Sequence, residues 1–340
     1  MRSAIVSSSA AAAGPAPPAP LTSARFWRGY WLTLRPYLFF VSGASGLLGL
    51  ALAPGLGWMA FGAAFLAFFF AYGLGQAVTD VFQTDTDALS SPYRPLVRGE
   101  IARGPVLLLS LGGLAACALV FALLDPLTLA PSVLAVLGLL TYAWFKRRWW
   151  AGPFWNSWIV ALLPLIGYLC SGAGAGAALG SRPLQAAMLS VFFSYAVFVL
   201  LGYLKDISAD RVTGYRTLPV VAGWRLSVAV SALFALGGVM AGLWLLALLR
   251  VAAGGPGPLV ALGVALWLAG VLLLVAAHLR MWRLRREQEA HRAIAPAVRA
   301  HLLLHLGLAA AARPELAIPA LLLYVSFEAA LAARPETTQI

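Results

Sequence analysis

Charge is what this chain has least of. Only 11% of its 340 residues are Asp, Glu, Lys or Arg, and just 12 are acidic. Soluble domains carry about 25% charged residues, so this sequence has too few to cover a water-facing surface, and a soluble globular fold is excluded. Cysteine is nearly missing as well. Cys117 and Cys170 lie inside apolar runs, which excludes a secreted disulfide scaffold and leaves both as small packing residues. Residues 1–24 hold no apolar run of the roughly 7–15 residues that form a signal-peptide core. Their Ala, Ser and Pro composition predicts a disordered tail. Further along, Leu, Val, Phe and Trp are too abundant for disorder.

What is present is apolar: 61% of the residues are hydrophobic and the mean hydropathy is +0.86. Segments of roughly 17–25 apolar residues, the length of a helix that crosses a bilayer, recur along the chain. They fall at 36–53, 57–79, 104–123, 127–145, 153–175, 184–205, 226–249 and 258–279, with a ninth within 297–333. The fold class is therefore all-α, an integral membrane bundle of about nine helices occupying residues 25–333, with a short C-terminal tail at 334–340. Arg313, Pro314 and Glu315 interrupt the last segment, which reads either as an interfacial helix plus one span or as two short spans. The Gly/Ala run 171–180 reads as a flexible loop.

Basic residues sort by side. Of the 24 Lys and Arg, 20 precede or open span one or follow spans two, four, six and eight, whereas the opposite loops between spans one and eight hold only Arg182 and Arg250. Cytoplasmic loops carry such an excess. The even-numbered helix ends are thus expected at the cytoplasmic face of an inner or plasma membrane. The net charge of +12 is then a topology signal; nucleic-acid binding needs basic residues clustered on a soluble face and is not expected.

Five of the six aspartates gather at two of these helix ends: Asp80, Asp85 and Asp87 past span two, Asp206 and Asp210 past span six. An ionised Asp at a membrane helix centre costs roughly 2.5–3.5 kcal/mol, which explains scarcity but not clustering. Asp206 and Asp210 are i and i+4, while Asp80 and Asp87 are i and i+7 with Gln76 and Gln83 on the same stripe, so each set is expected on one helical face. Like charges this close call for a cation. Oxygen donors without nearby His or Cys suit Mg²⁺, which is typically held by one or two carboxylates plus substrate phosphates. With Arg94 and Arg98 beside the first cluster, and Lys205, Arg211 and Arg216 beside the second, the pair reads as a diphosphate site whose two halves face each other across one cavity. A transporter also uses intramembrane acids, but more often at mid-span in broken helices.

At these residues the chain resembles the UbiA superfamily of intramembrane prenyltransferases, whose motifs are N-D-x-x-D-x-x-x-D and a D-x-x-x-D closing span six. The segment from Gln76 to Gly99, with Asp80, Asp85, Asp87 and Pro92-Tyr93-Arg94-Pro95, is similar to the chlorophyll-synthase type. The segment Lys205-Asp206 through Asp210 to Val220 is similar to the menaquinone-pathway type. Arg35-Pro36, Tyr142 with Lys146-Arg147, and Asn156 support the match. Two positions depart: Thr79 stands where the family has Asn, and Gln83 where it has Asp, so weaker or differently arranged metal binding is expected.

The resemblance implies a Mg²⁺-dependent enzyme that ionises an allylic polyprenyl diphosphate and passes the isoprenyl chain to a lipophilic acceptor, aromatic or of quinone or pigment type, among membrane lipids. It implies Asp80, Asp87, Asp206 and Asp210 as catalytic metal ligands with Asp85 as a further ligand. Arg94, Lys146, Lys205, Arg35 and Arg147 would bind diphosphate oxygens, and Gln83, Thr79, Tyr142 and Asn156 would line the pocket. The alternatives are a membrane terpene cyclase, in which no acceptor is needed, and a non-catalytic lipid-binding or transport relative. Aromatics before the motifs, Phe68, Phe69, Phe70 and Tyr72, then Phe192, Phe193, Tyr195, Phe198 and Tyr203, either face the cation or pack. His301 and His305 have metal-compatible i, i+4 spacing but no apparent third ligand.

Overall fold

The computed structural model describes residues 17–253, 257–284 and 286–334. Among these the regular structure is helical, with no strand. The helices are α1 (Ala24–Leu34), α2 (Phe39–Leu52), α3 (Trp58–Val81), α4 (Thr84–Ser90), α5 (Arg103–Leu124), α6 (Leu129–Arg148) and α7 (Gly152–Leu169). They continue as α8 (Gly174–Gly180), α9 (Arg182–Tyr203), α10 (Ile207–Val212), α11 (Leu218–Ala253), α12 (Pro258–Arg283), α13 (His291–Ala312) and α14 (Ala317–Ala332). Most of the expected N-terminal tail lies outside the described residues. Within residues 17–23, Ala19 is buried and donates its N–H to the Glu100 carbonyl at 2.9 Å. Of the expected tail at 334–340, all but Arg334 lies outside the described residues.

Helix α1 forms because Phe26, Gly29, Tyr30, Thr33 and Leu34 recur at i, i+3, i+4, i+7 and i+8, one continuous buried face. Ser23 caps its start by accepting from Phe26 N–H. The face packs on α3 and α5, where the Tyr30 hydroxyl meets Ser110 Oγ at 3.0 Å. The helix stops at Arg35, in left-handed backbone geometry (φ 52°), and the chain turns into α2. The expected span at 36–53 is thus the second part of a longer stretch, Ala24–Leu52; Arg25 and Arg28 on the outer face of α1 interrupt its apolar signal.

Ten helical stretches among the described residues are long and apolar enough to cross a membrane, one more than the nine expected. The extra one comes from the C-terminus. Pro314 opens a short 3-10 turn, so 297–333 belongs to two helices, α13 and α14. Arg299 of α13 clasps Glu328 of α14 through two hydrogen bonds of 2.7 Å, and the Tyr324 hydroxyl donates to the same carboxylate. The Gly/Ala run expected as a loop contains α8.

With no water to drive helices together, packing inside a bilayer favours small residues at the contacts. A Cβ on Gly49 would lie 2.2 Å from the Pro164 carbonyl oxygen, so α2 and α7 touch backbone to backbone. Gly307 plays the same part between α13 and α12, where a Cβ would stand 2.5 Å from Trp267 N. Buried His301 and His305 meet serines rather than further metal-type ligands, and among the described residues His305 Nδ1 has no hydrogen-bond partner. His301 reaches Ser45 and Ser194 Oγ, both at 3.1 Å, and His305 reaches Ser194 at 3.3 Å.

Candidate active site

The two aspartate segments share one construction. Helix α3 ends at Val81 and α9 at Tyr203, and each is followed by a short break and a short helix, α4 or α10. The residues capping the short helices, Gln83 (φ −119°, ψ 16°) and Asp206 (φ −116°, ψ 14°), have nearly the same backbone geometry. Helices α4 and α10 pack on each other, with Thr213 Oγ1 donating to Thr86 Oγ1 at 3.2 Å. This corrects the expectation of continuous helical stripes. Asp80 and Asp87 are brought together by the break after α3, and Asp206 lies outside the helix that carries Asp210.

Between them lies a cavity of about 230 Å³. Its mouth is lined by Arg35, Gln76, Thr79, Asp80, Gln83, Asp87, Arg94, Lys146, Lys205 and Asp206, with Tyr142, Asn156 and Tyr203 just inside. Beyond them the walls turn apolar, formed by α5, α6 and α7 through Leu114, Ala118, Leu139, Ile159, Leu163 and Ile166. Ser132 and Phe121 also line it; Ser132 lies 14 residues before Lys146 on α6, about 21 Å along the axis. Phe121 rests on Phe68 with ring centroids 4.4 Å apart.

Carboxylates and cations are matched around the mouth. Arg35 donates to Asp80 at 2.5 Å, Gln76 Nε2 donates to the other oxygen of Asp80 at 2.8 Å, and Arg94 pairs with Asp87 and stands 3.6 Å from Asp80. Lys205 Nζ donates to both oxygens of Asp206 at 2.8 and 3.0 Å. Lys146 donates to Gln83 Oε1 at 3.1 Å, stands 3.5 Å from Asp210, and lies 5.0 Å over the rings of both Tyr203 and Tyr215. Tyr142 and Tyr203 join hydroxyls at 2.6 Å.

These surroundings separate the carboxylates. Burial pushes the Asp87 carboxyl above its ordinary range, and Asp80 adds to the rise against the pull of Arg94. Burial acts the same way on Asp206, but Lys205 and Lys146 outweigh it and hold that group low. Asp210 is raised by its burial, with Lys146 opposing. For Arg94 burial favours the neutral form, yet Asp87 and Asp80 override it and strengthen its charge.

Not every residue singled out in the sequence reaches the cavity. Asp85, Asp210 and Arg147 do not line it. Asp85 pairs outside with Arg147 at 2.5 Å, and Asp210 is directed at Thr86, Thr217 and Lys146. Of the aromatics before the motifs, Tyr72, Tyr195, Phe198 and Tyr203 line the cavity, whereas Phe69, Phe70, Phe192 and Phe193 pack on other rings. Ser132 and Phe121 carried no signal, being ordinary members of apolar helices. Among the described residues no three His, Cys, Asp or Glu side chains converge on one point. The cavity carboxylates Asp80, Asp87 and Asp206 therefore fit a metal that takes one or two carboxylates and completes its shell with substrate oxygens, as Mg²⁺ does.

A charged mouth over an apolar chamber, in a bundle of membrane-length helices, has room for an amphiphile with an anionic head. The chain belongs to the UbiA prenyltransferase family, whose sequence model matches residues 38–306, and it is an integral-membrane prenyltransferase. It is 32% identical over 219 residues to the digeranylgeranylglyceryl phosphate synthase of Halobacterium salinarum, covering 63% of this chain and 76% of that one. In fold it is similar to a UbiA homologue from Aeropyrum pernix (TM-score 0.66, 20% identity, 80% of this chain and 96% of the other). It is also similar to a UbiA homologue from Archaeoglobus fulgidus solved with GPP and Mg²⁺ (TM-score 0.59, 16% identity, 90% and 100%).

Proposed function

We propose that the protein uses Mg²⁺ to move an isoprenyl chain from an allylic polyprenyl diphosphate to a lipophilic acceptor. One observation carries this reading: a single cavity joins a mouth of paired carboxylates and cations to a long apolar chamber. The chamber suits a hydrocarbon chain and the mouth suits its diphosphate. The excess of Lys and Arg at this end of the bundle supports a cytoplasmic mouth.

Arg35, Arg94 and Lys205 rest on carboxylates at the mouth, poised to turn toward diphosphate oxygens. Mg²⁺, held by Asp87 and Asp206 with Asp80 beside them, would supply Lewis-acid neutralisation of the leaving diphosphate. The bond from the allylic carbon to the diphosphate oxygen breaks, the electron pair leaves with the diphosphate, and the fixed cations stabilise the developing charge. Tyr72, Tyr195, Phe198 and Tyr203 present π-faces to the allyl cation. Apolar walls exclude water, so an acceptor lone pair or π-bond forms the new bond and the acceptor loses a proton. Similarity to proteins named digeranylgeranylglyceryl phosphate synthase supports an acceptor alcohol of that lipid type over the aromatic or quinone-type acceptor.

Purified protein in vesicles with Mg²⁺ and C10 to C20 allylic diphosphates tests this, with pyrophosphate and extracted products followed by mass spectrometry. Product formed only when a prenylglyceryl phosphate or an aromatic acceptor is added is the expected result. A terpene hydrocarbon or alcohol without acceptor establishes cyclisation instead. No pyrophosphate across all chain lengths overturns the enzyme reading.

A further inference from the structure

Asp210 has its oxygens committed inside the protein. Its Oδ1 accepts from Thr86 Oγ1 at 3.3 Å and faces Lys146 Nζ at 3.5 Å, and its Oδ2 accepts from Thr217 Oγ1 at 3.1 Å. The side chain is 0% exposed. Lys146 is fixed in turn by Gln83 Oε1 and by the faces of Tyr203 and Tyr215. An ammonium therefore bridges the two acid-bearing segments at the point where Gln83 offers only a neutral oxygen. A divalent ion placed there would have to expel Lys146 from Asp210, stranding a buried charge. The cavity-facing carboxylates differ. Asp87 and Asp206, one from each segment, both line the cavity, and their partners Arg94 and Lys205 line it too, so a diphosphate can draw those cations away.

We infer that this chain holds one divalent cation, between Asp87 and Asp206, and that Lys146 is the fixed positive charge standing in the place of a second. Lys146 is then a positioning residue that ties the two segments together, with Asp210 as its anchor. The inference rests on the proposed function, because the ion is bound together with the substrate diphosphate, whose oxygens complete a shell begun by two carboxylates.

Bound Mn²⁺ tests it, counted by equilibrium dialysis of the full-length protein in detergent with geranylgeranyl thiolodiphosphate, which does not ionise, on both sides of the membrane. One Mn²⁺ per chain is expected. Two per chain overturn the inference and leave prenyl transfer standing; none in the presence of the analogue overturns both. Asp206→Asn is expected to abolish the bound ion. Asp210→Asn is expected to retain one ion with an affinity changed by less than about threefold, since the lost charge acts only at a distance. Loss of the ion in an Asp210→Asn protein that elutes and melts like the wild type overturns the inference. Should that variant fail to fold, Thr217→Val removes one support of the anchor without touching the cavity, and the same count applies.

Discussion

The segments 83–87 and 206–210 are the same device used in two ways. Each begins at a capping residue with nearly identical dihedral angles, Gln83 or Asp206, and each carries an aspartate four residues later, Asp87 or Asp210. In the first segment the later acid faces the cavity and the capping residue is neutral. In the second the capping acid faces the cavity and the later one is turned inward. Partners from elsewhere in the fold decide the difference: Arg94 from the loop after α4 meets Asp87, and Lys146 from α6 meets Asp210. Equal spacing in sequence therefore does not confer equal roles, and the mouth ends with one cavity-facing carboxylate from each short segment.

The sharpest way to break this comparison is to neutralise the two acids of the second segment separately. Asp206→Asn is expected to lower the turnover of pyrophosphate release by at least about 10²–10³-fold, the scale of losing one preorganised electrostatic group, in a protein that still folds, with a lower melting temperature from the lost Lys205 pair. An Asp210→Asn variant with intact stability and an equal loss would show the two acids to be equivalent. Next in size is Lys146→Met, which leaves Asp210 buried without its cation and is expected to cost about 3–5 kcal/mol of stability. Adding Asp210→Asn to that variant should recover most of the loss in thermal unfolding followed by circular dichroism; no recovery would mean that the two side chains are not coupled. Smaller again is Thr217→Val, which removes one hydrogen bond to a buried carboxylate, worth about 1.5–3 kcal/mol, in the same unfolding measurement.

The scarcity of charge made the gathering of residues legible: a chain with so few acids shows where its site lies. Apolar length made most of the helices legible as well. Two kinds of feature were hidden. The first is a helix whose pattern is interrupted by functional or boundary residues, as α1 is by Arg25 and Arg28, whereas the Arg313-Pro314-Glu315 interruption itself raised two short spans as one of two readings of the C-terminus. The second is side-chain direction near a helix break. A stripe of Gln76, Asp80, Gln83 and Asp87 presumes one continuous helix, and nothing in Val81-Phe82-Gln83 or Leu204-Lys205-Asp206 marks the stop that reorients each cluster. Whether a given aspartate ends in the cavity or on a threonine depends on residues more than a hundred positions away, such as Thr86 for Asp210.

Asp85 supplies the mildest test, because it belongs to the first segment yet lies outside the mouth. Its carboxylate pairs with Arg147 at 2.5 Å and accepts from the Tyr215 hydroxyl at 3.3 Å, but the two ionic side chains are 42% and 39% exposed. Solvent screening leaves such a pair below about 1 kcal/mol, so Asp85→Asn is expected to shift stability by less than that and to leave pyrophosphate release near the wild-type rate. Burial acts to raise the Asp85 carboxyl, but the Arg147 hydrogen bond outweighs it, and the group titrates below its ordinary value of 3.8. A carboxylate depressed by folding contributes stability that is present above its unfolded value and disappears as the pH falls through the folded one. The wild type should therefore exceed the variant slightly at neutral pH, and the gap should close only below pH 3.8. A gap that closed near neutral pH instead, or a large loss of turnover, would place Asp85 inside the site with Asp87 and undo the division between the two faces of this segment.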